Sequence, residues 1–191
     1  MHSRNKITML PEIIGVVGPI RAGKTTASAY LTEHFGYKTA SNSELLKQIA
    51  VGLEIIPDRT NLKRLGDAIF NVLGNETLAR YRVSKKDDFP IVVDGIRYPE
   101  EIKVYSQIPS FKLLAITAQD DNRYDRAMAL AHRDKDSYIS PEAFRSLSEA
   151  RSEASLPSLF AVAHCLIVND KDIEDLKTSI DSIMEQWTQH I

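Results

Sequence analysis

A chain of 191 residues, 43% hydrophobic and 26% charged, has the length and apolar content of one globular domain, residues 1–191, with room for a small inserted part. Its net charge of −2 excludes the global basic footprint of a nucleic-acid binder, so an anionic ligand has to be held by local clusters. The single cysteine, Cys165, excludes an internal disulfide. No apolar run approaches the length of a membrane span, and Met1–Lys6 has no long apolar stretch behind it. These features give the expectation of a cytoplasmic protein without a membrane partner, a monomer or a homodimer. The five histidines are scattered, without metal-ligand spacing.

The first element, Ile13–Val17, is an apolar, β-branched run and reads as a buried strand. Gly18-Pro19-Ile20-Arg21-Ala22-Gly23-Lys24-Thr25 follows at once and fits the phosphate-binding pattern G-x-x-x-x-G-K-[ST] at every fixed position. A helix is expected over Lys24–Phe35, which supplies the strand–loop–helix setting the motif needs. Backbone N–H groups of such a loop and helix N-terminus converge on one spot and favour phosphate. Gly18 and Gly23 let the backbone adopt the loop. Gly18, Arg21, Ala22, Gly23, Lys24, Thr25 and Thr26 are therefore candidate nucleotide-binding residues, with Lys24 on the β/γ-phosphates and the Thr25 hydroxyl on Mg²⁺.

Strands are expected next at Tyr37–Ala40, Pro90–Asp94, Lys112–Thr117 and Cys165–Val168. Helices are expected over Ser43–Val51, Asn61–Leu73, Glu76–Val83, Glu100–Ser106, Asp121–Ala131, Pro141–Glu153 and Ile173–Gln189. Short apolar runs alternating with helices make an α/β fold with a parallel sheet covered on both faces. Ser43, Ser140 before Pro141, and Asp172 are candidate N-caps. Residues 41–88, almost all helical, and the charged stretch 132–140 do not fit a minimal βαβ repeat. Over a phosphate site they read as two covers that close on substrate.

Phe89–Asp94 is an apolar strand with an acid at its C-terminal end, where ligands of open α/β sheets bind; Asp94 is the second candidate metal ligand. Arg97, Arg126 and Arg133 are candidate catalytic cations beside Lys24, since phosphoryl transfer needs positioned positive charge and the guanidinium fork fits phosphate. Arg123, one helical turn before Arg126, is the weaker candidate. On the acceptor side Arg59 can hold an acceptor phosphate and Glu44 can orient an acceptor hydroxyl as a base; capping is the simpler reading of Ser43 and Thr60.

With these pieces in order the chain resembles the nucleoside-monophosphate-kinase-like group of P-loop kinases, and within it dephospho-CoA kinase and deoxynucleoside-monophosphate-kinase-like proteins. The matching segments are GPIRAGKT at 18–25, ASNSELLKQIA at 40–50, DRTNLKRLGDAIFNVLGNETLARY at 58–81, VVDGIRYPEEIKVY at 92–105, RYDRAMALAHRDKD at 123–136 and HCLIVNDKDIEDL at 164–176. The resemblance implies a three-layer α/β/α P-loop fold with a five-stranded parallel sheet of order 2-3-1-4-5. It implies an acceptor-binding insert at 41–88, a lid at 132–140, and Asn169-Asp170 near the adenine. It further implies ATP and Mg²⁺ as cofactors and a small nucleotide-like acceptor as substrate, with Ser43, Glu44, Arg59, Asp94 and Arg97 on the acceptor side. Two departures, Glu44 where the group often has Asp and Phe70 where it often has a second arginine, both fall on that side. A hydroxyl-phosphorylating kinase and a nucleotide-binding switch remain the alternatives.

Overall fold

The computed structural model describes residues 10–85, 88–133, 140–148 and 154–189. In chain order the elements are β1 (Ile13–Val17), α1 (Lys24–Phe35), β2 (Lys38–Ser41), α2 (Asn42–Gly52), α3 (Arg59–Leu73), α4 (Thr77–Val83), β3 (Ile91–Asp94), α5 (Pro99–Tyr105), β4 (Lys112–Thr117), α6 (Asp120–Arg133), α7 (Pro141–Ser148), α8 (Leu156–Ala161), β5 (Cys165–Val168) and α9 (Ile173–Gln189). The five strands form one parallel sheet in the order β2-β3-β1-β4-β5, the order that the resemblance implies. Parallel pairing explains why β1 is apolar throughout: it is central, and all five of its residues are buried.

The period of two along each strand divides the core into two layers. Ile14, Val16, Val92, Leu114, Ile116 and Ile167 point to one face. They pack with Ala27 and Leu31 of α1 and with Leu176, Ile180, Met184 and Trp187 of α9. Ile13, Val17, Ile91, Val93, Leu113 and Ala115 point to the other, against Ala79, Val104, Tyr105 and Leu159. Gly15 belongs to the second set, and Ile96 and Phe111 occupy the space that its missing side chain leaves. Among the described residues no helix is long and apolar enough to cross a membrane.

Several boundaries differ from those expected, each for a local reason. β2 is Lys38–Ser41 rather than Tyr37–Ala40, because Tyr37 turns into the core and donates its hydroxyl to Pro11 O at 2.7 Å. Ser43 is not a cap. Ser41 is, in extended conformation, accepting from Glu44 N at 3.4 Å, so α2 starts earlier and Ser43 lies in its first turn. Thr60 is likewise inside a helix, because Asp58 caps α3 by accepting from Asn61 N at 2.8 Å. The expected helix Pro141–Glu153 is described only over Pro141–Ser148; residues 149–153 lie outside the described residues, and a further helix, α8, begins after Ser155. Ser140 caps α7 and Asp172 caps α9 as expected.

The edge between β4 and β5 carries a titrating hydrogen bond. His164 N donates to Leu113 O at 2.8 Å, and His164 Nδ1 accepts from Leu113 N at 2.9 Å, so the ring extends the ladder only while Nδ1 is deprotonated. Burial, helped by Lys112, holds the imidazole below its usual range. A folded-state value below the unfolded one means that the unfolded chain binds more protons, so stability falls as pH drops through about 6.5. Thermal unfolding of the wild type should therefore show a falling midpoint between about pH 7 and pH 5. His164→Gln, which keeps an acceptor that does not titrate, should flatten that dependence; an unchanged slope contradicts this role.

Candidate functional site

The sheet register gathers the predicted site. Asp94, last residue of β3, lies opposite Val16 of β1 on one side and Ser41 of β2 on the other. The phosphate-binding loop leaves β1 right beside it. The Thr25 hydroxyl, in the first turn of α1, donates to Asp94 Oδ2 at 3.3 Å. A hydroxyl and a carboxylate oxygen side by side suit Mg²⁺, which takes one or two protein oxygens and completes its shell with water and substrate phosphate. Among the described residues no cluster of three His, Cys, Asp or Glu could hold a metal unaided.

The loop is strained in the way an anion cradle requires. Gly18 and Gly23 have φ of 154° and 111°, and Arg21 has φ of 63°. A Cβ on Gly18 would run into the Ile116 carbonyl oxygen, and one on Gly23 into Asn169 Nδ2. Only glycine fits either place. Lacking a side chain, Gly23 also leaves the N-terminus of α1 without a side-chain cap, so the first-turn amides face the loop.

Every carbonyl from Gly18 to Gly23 accepts a hydrogen bond. Lys24 Nζ donates to Gly18 O at 2.8 Å and to Pro19 O at 2.9 Å. Arg123 Nη1 donates to Ile20 O at 3.1 Å. Arg126 Nη1 donates to Arg21 O at 3.4 Å. Asn169 Nδ2 donates to Ala22 O at 2.8 Å, and Ala27 N donates to Gly23 O at 3.0 Å within the helix. All six successive carbonyls are thus partnered, and those of Ile20 to Gly23 by groups other than Lys24.

The donors that do this are themselves anchored. Arg123 is only 6% exposed, pairs with Asp120 at 2.7 Å and lies over the Phe144 ring. Arg126 Nη2 also donates to Asn169 O at 2.7 Å and to Lys171 O at 3.4 Å, which fastens α6 to the loop after β5. Asp170 Oδ1 accepts from Gln119 N at 2.7 Å and Asn122 Nδ2 at 3.1 Å; these bonds hold its carboxyl below the usual range.

The remaining predicted residues are spread around this centre. Ser43 and Glu44 are exposed in the first turn of α2, one and two positions beyond Asn42, with Glu44 paired to Lys47 at 3.4 Å. Arg59 opens α3. The segment before it is tied to the far end of α2 through Ile55 N to Ala50 O, and Asn61 reaches back to Ile56 O. Arg59 therefore follows the C-terminal end of α2, whereas Ser41 caps its start. Thr26 is exposed on α1 and Arg97 on the loop after β3. Arg133 is the last residue of α6, and 134–139 of the expected lid lie outside the described residues. Helices α2, α3 and α4 enclose an apolar groove of about 380 Å³ whose walls include Leu45, Ile49, Ile69, Leu73, Leu78 and Tyr81.

Sequence reasoning missed one group altogether, the buried Glu101 with Asn42 and Arg82. Its one legible signal is the spacing of Glu101 three residues after Tyr98, across Pro99, as in a helix-capping box.

No known family model matches the chain. It is 24% identical to a UPF0200 protein of Sulfurisphaera tokodaii, over 93% of this chain and 98% of that one. It is 21% identical to a dephospho-CoA kinase of Oceanobacillus iheyensis, over 92% and 97%. Among solved structures, shikimate kinase of Acinetobacter baumannii in complex with shikimate superposes with a TM-score of 0.60 at 17% identity, covering 92% of this chain and 93% of that one. The chain has the P-loop kinase-like α/β fold.

If the tied carbonyls keep the cradle open to anions, cutting one tie should be felt by the ligand. Leaving the Ala22 carbonyl without its partner costs on the order of 1–3 kcal/mol. Asn169→Ala is expected to weaken MgADP binding about tenfold or more in calorimetric titration. Unaltered affinity would show that the tie does not shape the cradle.

Proposed function

We propose that this protein is an ATP- and Mg²⁺-dependent small-molecule kinase that moves the γ-phosphoryl group to a nucleotide-like acceptor, a nucleoside or deoxynucleoside monophosphate in the preferred reading. The observation that carries the proposal is the Thr25–Asp94 contact at 3.3 Å, beside a loop whose carbonyls all have hydrogen-bond partners. A hydroxyl and an acid in that place suit a nucleotide-bound cation better than an anion alone.

In this reading the amides of 18–26 bind the phosphates of ATP, and Lys24 leaves Gly18 O and Pro19 O for the β/γ oxygens. Bound Mg²⁺ neutralises charge on those oxygens, with Thr25 and Asp94 to hold it. Arg97 and Arg133 place positive charge on the moving group, and Arg126 serves chiefly to fix the walls formed by the loop and Asn169. Residues 41–88 take the acceptor, with Ser43, Glu44 and Asp94 at the near end and Arg59 at the far end. Residues 132–140 act as the lid. A phosphate acceptor is already anionic and attacks without a protein base.

A second reading is supported by the exposed Glu44 beside the Ser41–Asp94 pair and by the 21%-identical relative named a dephospho-CoA kinase. There the acceptor is a hydroxyl and Glu44 takes its proton.

Incubation with MgATP and a panel of all ribo- and deoxyribonucleoside monophosphates plus dephospho-CoA, followed by ADP formation, tests the proposal; no transfer to any acceptor sinks it. Lys24→Ala should remove most transfer from a folded protein. Glu44→Gln separates the two readings: the rate should change less than about threefold with a phosphate acceptor and fall on the order of 10²-fold with a hydroxyl acceptor.

A further inference from the structure

Glu101 is 0% exposed, yet its place is polar. Its Oε2 accepts from Arg97 N at 2.8 Å and from Tyr98 N at 3.1 Å. Its Oε1 accepts from Asn42 Nδ2 at 3.3 Å, and Asn42 Oδ1 in turn accepts from Arg82 Nη2 at 3.1 Å. Arg82 is itself only 9% exposed. One side-chain amide thus relays between a buried carboxylate and a buried guanidinium, and the chain of bonds joins the starts of α2 and α5 to the end of α4.

A helix cap alone does not explain this. Capping accounts for the bond from Tyr98 N, but not for Arg97 N, Asn42 or the burial of Arg82. Stability does not explain it either, since a buried ion pair is often no more stabilising than apolar side chains of the same volume. What the arrangement does supply is position. Arg97 sits three residues after Asp94, with Gly95 at φ 88° turning the chain and Ile96 pinned in the core. The two amides held by Glu101 fix the backbone from which the exposed Arg97 side chain projects. Asn42 adjoins Ser41, the register partner of Asp94, and immediately precedes Ser43 and Glu44.

We propose that Glu101 is a positioning residue that sets the Asp94–Arg97 loop for phosphoryl transfer and, through Asn42 and Arg82, locks that loop to the acceptor-side helices. Its effect on rate rests on the kinase reading above; its effect on the loop does not. Burial pushes the Glu101 carboxyl up, against the hydrogen bonds and the nearby Arg82, which pull it down. All of the partners named here are donors, the set that a carboxylate matches.

The test uses the full chain with Glu101→Ala and Glu101→Gln, each alone and combined with Arg97→Ala. Amide hydrogen exchange needs no activity. Exchange at Arg97 and Tyr98 should rise about tenfold or more in Glu101→Ala, and less in Glu101→Gln, which keeps an acceptor, while the amides of β1 stay as in the wild type. With the acceptor found in the panel, kcat of Glu101→Ala should fall on the order of 10²-fold with the KM for MgATP within about twofold. In the Arg97→Ala background the same change should cost less than about threefold, because its effect acts through Arg97. Should Glu101→Ala fail to fold, Glu101→Gln carries both measurements. Unchanged exchange at Arg97 and Tyr98, or rate losses that simply multiply in the double variant, overturn the proposal. A wild type without transfer to any acceptor sinks the kinase reading instead, and exchange then decides the claim about the loop.

Discussion

The site depends on one constraint, a hydrogen-bond partner for every carbonyl from Gly18 to Gly23. A loop that turns its amides toward an anion must turn its carbonyls somewhere, and a polar group left unpaired inside a protein is costly. Here the donors come from four places: Lys24 of the loop itself, Ala27 N of α1, Arg123 and Arg126 of α6, and Asn169 after β5. The strained φ of Arg21 and the two glycines is therefore held by specific partners rather than by the loop alone. Because α6 provides two of those donors and ends at Arg133, the helix that leads to the expected lid is also part of the wall behind the cradle.

The two faces of the sheet divide the remaining work. α1 and α9 bury one layer of strand side chains and bring the loop after β5 up to Gly23, where Asn169 fills the space a side chain would need. The opposite layer sits under α4, α5 and α8, and at its edge lies the polar chain from Arg82 through Asn42 to Glu101. One buried network thus lies behind the glycine loop and another beside the start of α2. They meet at Asp94, which accepts from the Thr25 hydroxyl of α1 and leads directly into the backbone that Glu101 holds.

The helical segment from α2 to α4 is built differently from the cradle. α3 is strongly amphipathic, yet Gly66 is its only buried residue among those described, and Leu73 and Val72 remain open to solvent. Phe70 stands against Tyr98 with ring centroids 5.5 Å apart, an aromatic contact where the resemblance would lead one to look for a guanidinium. That exchange of a charge for a ring places apolar surface next to the loop bearing Arg97. The open groove between α2, α3 and α4 is the apolar feature of this part of the chain.

By itself the sequence determined what depends on neighbours along the chain. The apolar run of β1, the glycine spacing of the loop and the acid at the end of β3 follow from period, backbone freedom and strand polarity, all local properties. The caps at Ser140 and Asp172 are local in the same sense, whereas Ser43 failed as a cap because Ser41, two residues earlier, accepts from Glu44 N and starts the helix before it. Only the tertiary structure decided which polar side chains serve the site. Arg123 looked the weakest of the arginines and is buried against Ile20 O, 103 residues away in sequence. Asn169 reaches Ala22 O across 147 residues, and Glu101 reaches Asn42 across 59. Such bonds have no signature along the chain, because a donor and an acceptor of ordinary type become partners only when the sheet order brings their loops to the same end of the strands.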